Sequence, residues 1–342
     1  MGNLISKNEF PVKDRVVLIT GGSRGTGLEG GRQLAAKGAH VVIVARDIKR
    51  LEEGHAYIRD GALSPQTQRF HHISADLTDA SECQRVIRET TAWNNGAPPD
   101  IVWCCHGSAH PTLLADTPTE QFRAQMDQNY FSSAYIAQAA LQAWLPHKQP
   151  QQQQLSKPPM PNTPLPARHL IFTASFVALF PLAGYSPYSP SKAALRSLSD
   201  SLSMECELYA AAHPHEPRIR VHTLFPATIL TEGYEAENRI KTDLTRKLEE
   251  ADAGQTPAEL ARKAIAGLEA GQELVATDFL TGLVMTTVMG GSVRGGFRRG
   301  LGTWLVGCVA GIVMVVVRAS MDRDVRRWGR EHGPSGMRRA VD

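Results

Sequence analysis

Tyr188-Ser189-Pro190-Ser191-Lys192 sets a phenol and an ammonium four residues apart. On a helix such residues share one face. There the lysine can lower the pKa of the phenol, and a phenol so tuned can give a proton to a ketone oxygen as hydride reaches the carbon. Ser175 stands ahead of the pair, just past an apolar run, and its hydroxyl can polarise the same carbonyl. Asn129, inside an earlier helical stretch, can bend that helix and hold water for a proton relay. Tyr185 is the nearest competing phenol, but Ser189, four positions on, brings no cation. Ser186 and Ser189 read as helix-start residues, and no G-x-S-x-G elbow is present. The five cysteines, at 83, 104, 105, 206 and 308, form no C-x-x-C pair and no Cys/His cluster. Neither a disulfide framework nor a metal site is expected, and a reducing compartment fits.

Hydride needs a carrier. Gly21-Gly22-Ser23-Arg24-Gly25-Thr26-Gly27 lies between the first apolar run and the first helical stretch. Its glycines follow the spacing Gly21-x-x-x-Gly25-x-Gly27 rather than G-x-G-x-x-G. Glycine permits a tight turn and lets backbone approach a pyrophosphate, which the helix amides then face. Gly21, Ser23, Arg24, Gly25 and Gly27 are therefore candidate cofactor contacts; an ordinary turn is the plain alternative. No GK[ST] follows, so this is not a P-loop. Arg46 follows the second strand. A guanidinium there favours the 2′-phosphate of NADP, where an acid would favour the free ribose of NAD. Arg24 and Arg46 can clamp that phosphate, Lys49 and Arg50 can add field, and Asp47 complicates the reading. NADPH is the expected cofactor, against the alternative that these arginines are solvated surface charge. Asp76 is placed to meet the adenine amino group or to cap the next turn, and Leu77 to form an apolar wall. Lys192 then gains a second use, orienting the nicotinamide ribose.

These residues must be positioned by something. Short apolar runs at 16–19, 40–45, 101–105, 170–173 and 219–224, with 74–77 as the end of a further strand, alternate with helical stretches at 28–37, 79–91, 119–145 and 190–212. That alternation predicts an α/β fold, a doubly wound, mostly parallel sheet flanked by helices. With 342 residues, two domains or one large α/β domain are allowed. We expect a tail over 1–11, a reductase domain over 12–275, a Pro/Gln-rich disordered insertion at 146–168, an apolar region over 276–320 and a basic tail over 321–342. Met1-Gly2-Asn3-Leu4-Ile5-Ser6 matches the short myristoylation pattern, and a plain disordered end is the alternative. No apolar secretory leader is seen. Lys and Arg number 37 against 34 Asp and Glu, a net charge of +3 that gives no reason to expect nucleic acid as partner.

TGGSRGTG at 20–27, DLTD at 76–79, Asn129, Ser175 and YSPSK at 188–192 together resemble the short-chain dehydrogenase/reductase family over about residues 12–275. The resemblance implies a Rossmann fold, NADPH-dependent hydride chemistry and Asn129, Ser175, Tyr188 and Lys192 as the catalytic set. Asn129, Tyr188 and Lys192 would also meet the cofactor. Pro226-Ala227-Thr228-Ile229-Leu230-Thr231 resembles the family's segment after the sixth strand, making Ile229 and Thr231 implied nicotinamide contacts. Two departures stand out. Where the family often has Asn-Asn-Ala-Gly, this chain has Cys104-Cys105-His106-Gly107, so only Gly107 is retained and a polar bridge is absent or replaced. Ala227 stands where glycine is customary. His106 touches cofactor or substrate, or simply lines the site; the paired cysteines read as apolar fillers. More narrowly, LITGGSRGTGL, WCCHGSAHP, FTASFVALFPLAGYSPYSPSKAAL and the apolar C-terminal region resemble fungal 3-ketodihydrosphingosine reductases. That likeness implies a long-chain sphingoid ketone as substrate and a place on the endoplasmic reticulum membrane with the catalytic part facing the cytosol. It also leaves a homodimer through 119–145 and 190–212 open, and other lipophilic ketones or a non-catalytic nucleotide-binding scaffold as rivals.

Residues 301–317 (LGTWLVGCVAGIVMVVV) carry no charge. Seventeen residues give about 25 Å of helix, slightly under a hydrocarbon core of about 30 Å. Flanking arginines at 298, 299 and 318 can snorkel. We expect a membrane span or embedded helix, with a buried soluble helix as the alternative. The weaker uncharged stretch at 279–293 allows a re-entrant pair. Arg323, Arg326, Arg327 and Arg330 would suit anionic lipid. Residues 176–184 and 228–248 are expected to wall an alkyl channel; Phe176, Leu179, Phe180 and Leu182 touch substrate or serve as packing.

Overall fold

The computed structural model describes residues 8–145, 165–292, 294 and 296–338. The myristoylation pattern at residues 1–6 and most of the expected insertion, 146–164, lie outside the described residues. Among the described residues seven strands form one sheet: β1 (Val16–Thr20), β2 (His40–Ala45), β3 (Phe70–Ser74), β4 (Ile101–Cys104), β5 (Arg168–Thr173), β6 (Ile219–Phe225) and β7 (Leu274–Ala276). Their order is β3-β2-β1-β4-β5-β6-β7. The registers of β1 with β2 and β4, and of β6 with β7, are parallel. β1 and β4 are buried at every position. Covered on both faces, they need continuous apolar runs rather than alternation. β3 (FHHIS) lies at the edge and is only partly buried, which explains why its histidines do not read as strand from hydropathy. It runs from Phe70 to Ser74, so its end falls at the first residue of the stretch, 74–77, read as the end of the third strand. β5 starts at Arg168 and so takes in the end of the expected insertion.

Helices α1 (Gly25–Ala35), α2 (Ile48–Arg59), α3 (Ala80–Trp93), α4 (Thr119–Met126), α5 (Ser132–Trp144), α6 (Ser189–Ala212), α7 (Glu232–Ile240), α8 (Asp243–Leu248), α9 (Pro257–Glu269), α10 (Phe279–Thr287) and α11 (Gly296–His332) fill the crossovers and the C-terminal region. Several of them start at side-chain caps: Asp47 accepts from Arg50 N, Asp79 from Ser81 N, and Thr256 with Glu259 forms a capping box. The stretch expected as one helix over 119–145 is broken by a π-helical turn, Asp127–Phe131, between α4 and α5. The expected bend at Asn129 is thus realised as a π turn, a device that widens a helix where a side chain must be re-aimed.

By contacts the chain divides into two compact units. The first comprises Met1–His106, Phe131–Phe172 and Leu198–His222; the second comprises Gly107–Tyr130, Thr173–Ser197 and Thr223–Asp342. In the second unit a core cluster of Ala174, Ala178, Leu179, Phe225 and Val284 gathers Phe176, Phe180, Met285, Val288 and Met314 against it. Phe176, Leu179 and Phe180 are therefore packing residues that seat α10 and α11.

α11 runs for 37 residues and takes in most of the expected basic tail. A Cβ on its Gly307 would fall 2.4 Å from Thr286 O, so α10 and α11 cross at backbone distance. Ala310 is buried, whereas Val309, Ile312 and Val315 are 70%, 72% and 71% exposed. Trp328 sits under Lys247 and Arg338, and Leu244 N donates to Gly336 O, so the far end is tied to α8. The helix is long and apolar enough to cross a membrane by length and composition, with a mean hydropathy of 2.2 in its apolar window. It is a single continuous helix whose apolar stretch, residues 301–317, is largely unburied, and the buried-helix alternative does not hold.

Candidate active site

In the first unit the strand order reverses between β1 and β4, the place where open α/β sheets bind ligands at their carboxyl ends. Gly21, directly after β1, donates its N–H to Val44 O at 2.8 Å. Its φ is 66°, left-handed, and a Cβ there would lie 2.9 Å from His106 N. A Cβ on Gly27 would meet Gly21 O at 2.5 Å. Side chains are thus excluded from this turn by backbone alone. Gly25 opens α1, and Arg24, at its N-cap, makes no side-chain capping bond. Ser23 is half-buried beside them. A bare turn leading into a helix N-terminus that no side chain caps fits a pyrophosphate.

Arg24 and Arg46 are exposed at this end. Arg50 lies with Nε 3.7 Å from Asp47 Oδ2, so Asp47 both caps α2 and pairs with Arg50. Asp76 accepts at Oδ1 from Thr78 N at 3.0 Å and Thr78 Oγ1 at 2.8 Å, which is the capping arrangement. Those bonds hold its carboxyl below the usual range, the Thr78 N–H foremost, with the charges of Arg46 and His106 adding. Leu77 is 3% exposed and packs in the core.

The second unit brings together all four residues of the chemical set. Asn129, 0% exposed in the π turn, accepts from Ser108 N at 3.0 Å through Oδ1 and donates through Nδ2 to Ser108 O at 2.9 Å and Gln125 Oε1 at 3.3 Å. It clamps the loop after β4 in both directions. Gly107 lies against this clamp: a Cβ there would be 2.6 Å from Asn129 Oδ1 and 3.2 Å from Lys192 Nζ. Lys192 is buried in α6, donates to Thr173 O at 2.9 Å and lies 5.8 Å from the centre of the Tyr188 ring. Tyr188 hydrogen-bonds Ser175, whose Oγ also accepts from Val177 N at the start of a short 3-10 turn. Phe176 N donates to Pro226 O, which fixes that turn to the loop after β6. In that loop Ile229 bridges to Gln255, and Thr231 caps α7 through Tyr234 N.

One sequence expectation changes here. The phenol of Tyr188 is raised, not lowered: burial pushes it up, Glu237 adds to the push, and only the Ser175 hydrogen bond opposes them. The Lys192 ammonium is directed at the Thr173 carbonyl. The phenol is therefore a protonated acid at neutral pH.

Residues 15–153 match the short chain dehydrogenase family. The chain is 43% identical to the 3-ketodihydrosphingosine reductase of Aspergillus fumigatus, over 95% of this chain and 88% of that one. It is 42% identical to the 3-ketodihydrosphingosine reductase of Neurospora crassa, over 97% and 87%. The chain belongs to the short-chain dehydrogenase family. A short-chain type dehydrogenase/reductase from Mycobacterium ulcerans shares the fold, with a TM-score of 0.62 over 78% of this chain and 89% of that one at 19% identity. As a short-chain dehydrogenase with close fungal homologues, the protein is an NAD(P)-dependent oxidoreductase.

Charged neighbours of the set escape a reading of sequence alone. Glu237 on α7 accepts from the backbone N–H of Ala109 and acts electrostatically on Tyr188 and Lys192. Lys241, its side chain 0% exposed, pairs with Glu249 at 2.8 Å, and the Tyr185 hydroxyl donates a hydrogen bond to the same Glu249. Residues 228–248, expected as an apolar wall, thus contribute a charged network. Its signal in sequence is an i, i+4 Glu237–Lys241 pair, which also describes any solvated helix face.

Proposed function

We propose that this short-chain dehydrogenase reduces 3-ketodihydrosphingosine to sphinganine with NADPH. The observation that carries the reading is the 43% identity to a 3-ketodihydrosphingosine reductase, which extends over 95% of the chain and so well beyond the dehydrogenase match. The complete set of Asn129, Ser175, Tyr188 and Lys192 in one unit supports turnover and disfavours a non-catalytic scaffold.

In this mechanism NADPH supplies the hydride for the C3 carbonyl carbon when bound. Gly21, Ser23, Arg24, Gly25 and Gly27 would hold its pyrophosphate, and Arg24, Arg46 and Arg50 would select the 2′-phosphate. Asp76 and Leu77 would meet the adenine, and Gly107, Ile229 and Thr231 would meet the nicotinamide. Ser175 holds the ketone oxygen by a hydrogen bond. Tyr188, kept protonated by burial, donates its proton to that oxygen, so the ketone gains one hydride and one proton and becomes the alcohol. Lys192 positions the nicotinamide ribose. With the Asn129 clamp it relays a solvent proton back to Tyr188.

The exposed apolar stretch of α11 meets lipid, which keeps the long alkyl chain of the substrate near the bilayer it leaves. A site on the endoplasmic reticulum membrane, with the catalytic units facing the cytosol, follows from the same reading. Exposed Met204 and Leu208 on α6 support a homodimer contact. The test is purified enzyme with NADPH or NADH and a panel of lipophilic ketones: the sphingoid ketone, a retinoid, a steroid and a 3-oxoacyl thioester. Reduction of the sphingoid ketone by NADPH, abolished in Tyr188→Phe, is expected. Failure on that ketone with turnover of another refutes the substrate, and full activity of Tyr188→Phe refutes the mechanism.

A further inference from the structure

We propose that Tyr185 is a positioning residue for the reaction: it carries the hold of the buried Lys241–Glu249 pair to Tyr188, and so fixes the phenol that gives the proton. This role rests on the reductase reading above and adds what keeps its acid in place.

Four groups that the mechanism does not use meet in the second unit: Tyr185, Tyr234, Lys241 and Glu249. Lys241 caps the end of α7 and Glu249 the end of α8. Lys241 Nζ donates to Glu249 Oε2 at 2.8 Å, and it lies 4.4 Å from the centre of the Tyr234 ring and 5.7 Å from that of Tyr185. The Tyr185 hydroxyl donates to the other oxygen of the same carboxylate, Oε1. One carboxylate thus ties the end of α7 to Tyr185. The side chains of Lys241 and Glu249 are 0% and 13% exposed, so salt screens this pair little. α8 holds the same stretch of backbone. Thr245 Oγ1 donates to Ala183 O at 3.2 Å, and Gly184, at a left-handed φ of 92°, leaves no room for a Cβ beside Thr245.

Tyr185 passes this hold to the acid in two ways. Its carbonyl accepts from Tyr188 N at 3.0 Å and from Ser189 N at 2.8 Å, so it closes the turn that leads into α6 and carries the phenol. Its ring lies against that of Tyr188, with centres 6.0 Å apart and planes at 52°. Ser175 holds the Tyr188 hydroxyl, and Tyr185 braces the ring behind it. Burial, with Glu249 beside it, pushes the Tyr185 hydroxyl up, so its proton stays in the bond to Glu249 rather than serving as a second acid. Proton donation needs the phenol in place as hydride arrives, and misplacing such a group by about 1 Å costs on the order of 100-fold in rate. Removing the Tyr185 hydroxyl leaves ring and backbone present and loosens only the tether. A smaller loss of about tenfold is expected, in kcat rather than in KM, because the phenol acts in the transition state.

The test uses the full-length enzyme in detergent with NADPH and the sphingoid ketone. Tyr185→Phe keeps the ring and leaves Lys241 paired with Glu249. It should lower kcat about tenfold and hold KM, and NADPH affinity read by cofactor fluorescence, within about twofold of wild type. It should also raise the solvent deuterium isotope effect on kcat, because proton donation becomes limiting. Glu249→Gln, which keeps an oxygen for the Tyr185 hydroxyl, should retain several times the kcat of Glu249→Ala. Wild-type kcat in Tyr185→Phe overturns the assignment. So does a loss of kcat with an unchanged isotope effect, the mark of a smaller folded fraction. If the Glu249 variants fail to fold, Tyr185→Phe decides alone. Tyr188→Phe separates this role from the reading beneath it: if that variant is inactive while Tyr185→Phe behaves as wild type, the brace falls and the reductase stands, whereas full activity of Tyr188→Phe removes both.

Discussion

Replacing Gly107 by alanine puts one methyl group into the Asn129 clamp. The added carbon would lie 2.6 Å from Asn129 Oδ1, against 3.4 Å for the lower end of ordinary contact, a shortfall of 0.8 Å. Lys192 Nζ, at 3.2 Å, must also give by a few tenths. Asn129 has nowhere easy to go. It is fully buried and held by Ser108 N, Ser108 O and Gln125 Oε1. A displacement of 0.8 Å stretches the 3.0 Å bond from Ser108 N beyond hydrogen-bonding range and strains its reciprocal partner. Each buried group left unmatched costs about 1–3 kcal/mol. Losing both Ser108 bonds therefore costs about 2–6 kcal/mol, or several degrees or more in Tm. If the loop moves instead, Ala109 leaves Glu237, and the same elements shift. Misplacing catalytic groups by about 1 Å costs on the order of 100-fold in rate. Gly107→Ala should thus lower kcat/KM by about that factor, measured as ketone-dependent NADPH consumption, with a parallel loss in Tm. Gly291→Ala is the control, because a Cβ there meets nothing within 4 Å. Wild-type kcat/KM and Tm in Gly107→Ala would refute the clamp as the element that holds the site.

Other perturbations read other parts. Lys241→Met strands the Glu249 carboxylate beside Tyr185; breaking a buried pair in this way costs about 3–5 kcal/mol, so a fall in Tm larger than that of any exposed-charge variant is expected by calorimetry. The raised Glu237 carboxyl means that the folded chain holds a proton the unfolded chain has released. Its contribution to stability is full below the ordinary glutamate pKa and is lost as pH rises through about 7, so Tm should fall over that window in wild type and flatten in Glu237→Gln. The groups that set this slope with it are Lys241, Glu249 and Lys192. Arg46→Ala should raise KM for NADPH roughly tenfold or more while leaving NADH little affected, and equal effects on both cofactors would reject the 2′-phosphate role. Val309→Glu with Ile312→Glu, both on the exposed face of α11, should abolish flotation with liposomes but keep activity in detergent.

The legibility of the fold followed burial. β1, β2 and β4 read directly because strands covered on both faces carry unbroken apolar residues, and buried β5 and β6 were found with starts moved by two residues or fewer. Of β3 only the end was read, because an edge strand with two histidines lacks that pattern. β7 has three residues, too few for any period to show. α11 was read as seventeen apolar residues because hydropathy stops at Arg318, whereas the helix stops at Gly333, where φ is 86°. What carries it onward is Trp328 seated on α8, a tertiary contact that hydropathy along the chain does not contain.

The site divides along the same line. Tyr188 and Lys192 were legible because helix geometry alone puts residues four apart on one face. Gly21, Gly25 and Gly27 were legible because backbone sterics alone demand glycine there. Glu237 is different. Its charge matters only because Ala109, on the loop after β4, and α7, on the loop after β6, meet in the folded unit. The same separation explains the misjudged phenol: spacing put Lys192 beside Tyr188, but the fold turns the ammonium to Thr173 O and supplies Glu237 and burial instead. Local geometry therefore specifies which groups can do the chemistry. The elements folded over them from far along the chain set the proton affinity of those groups.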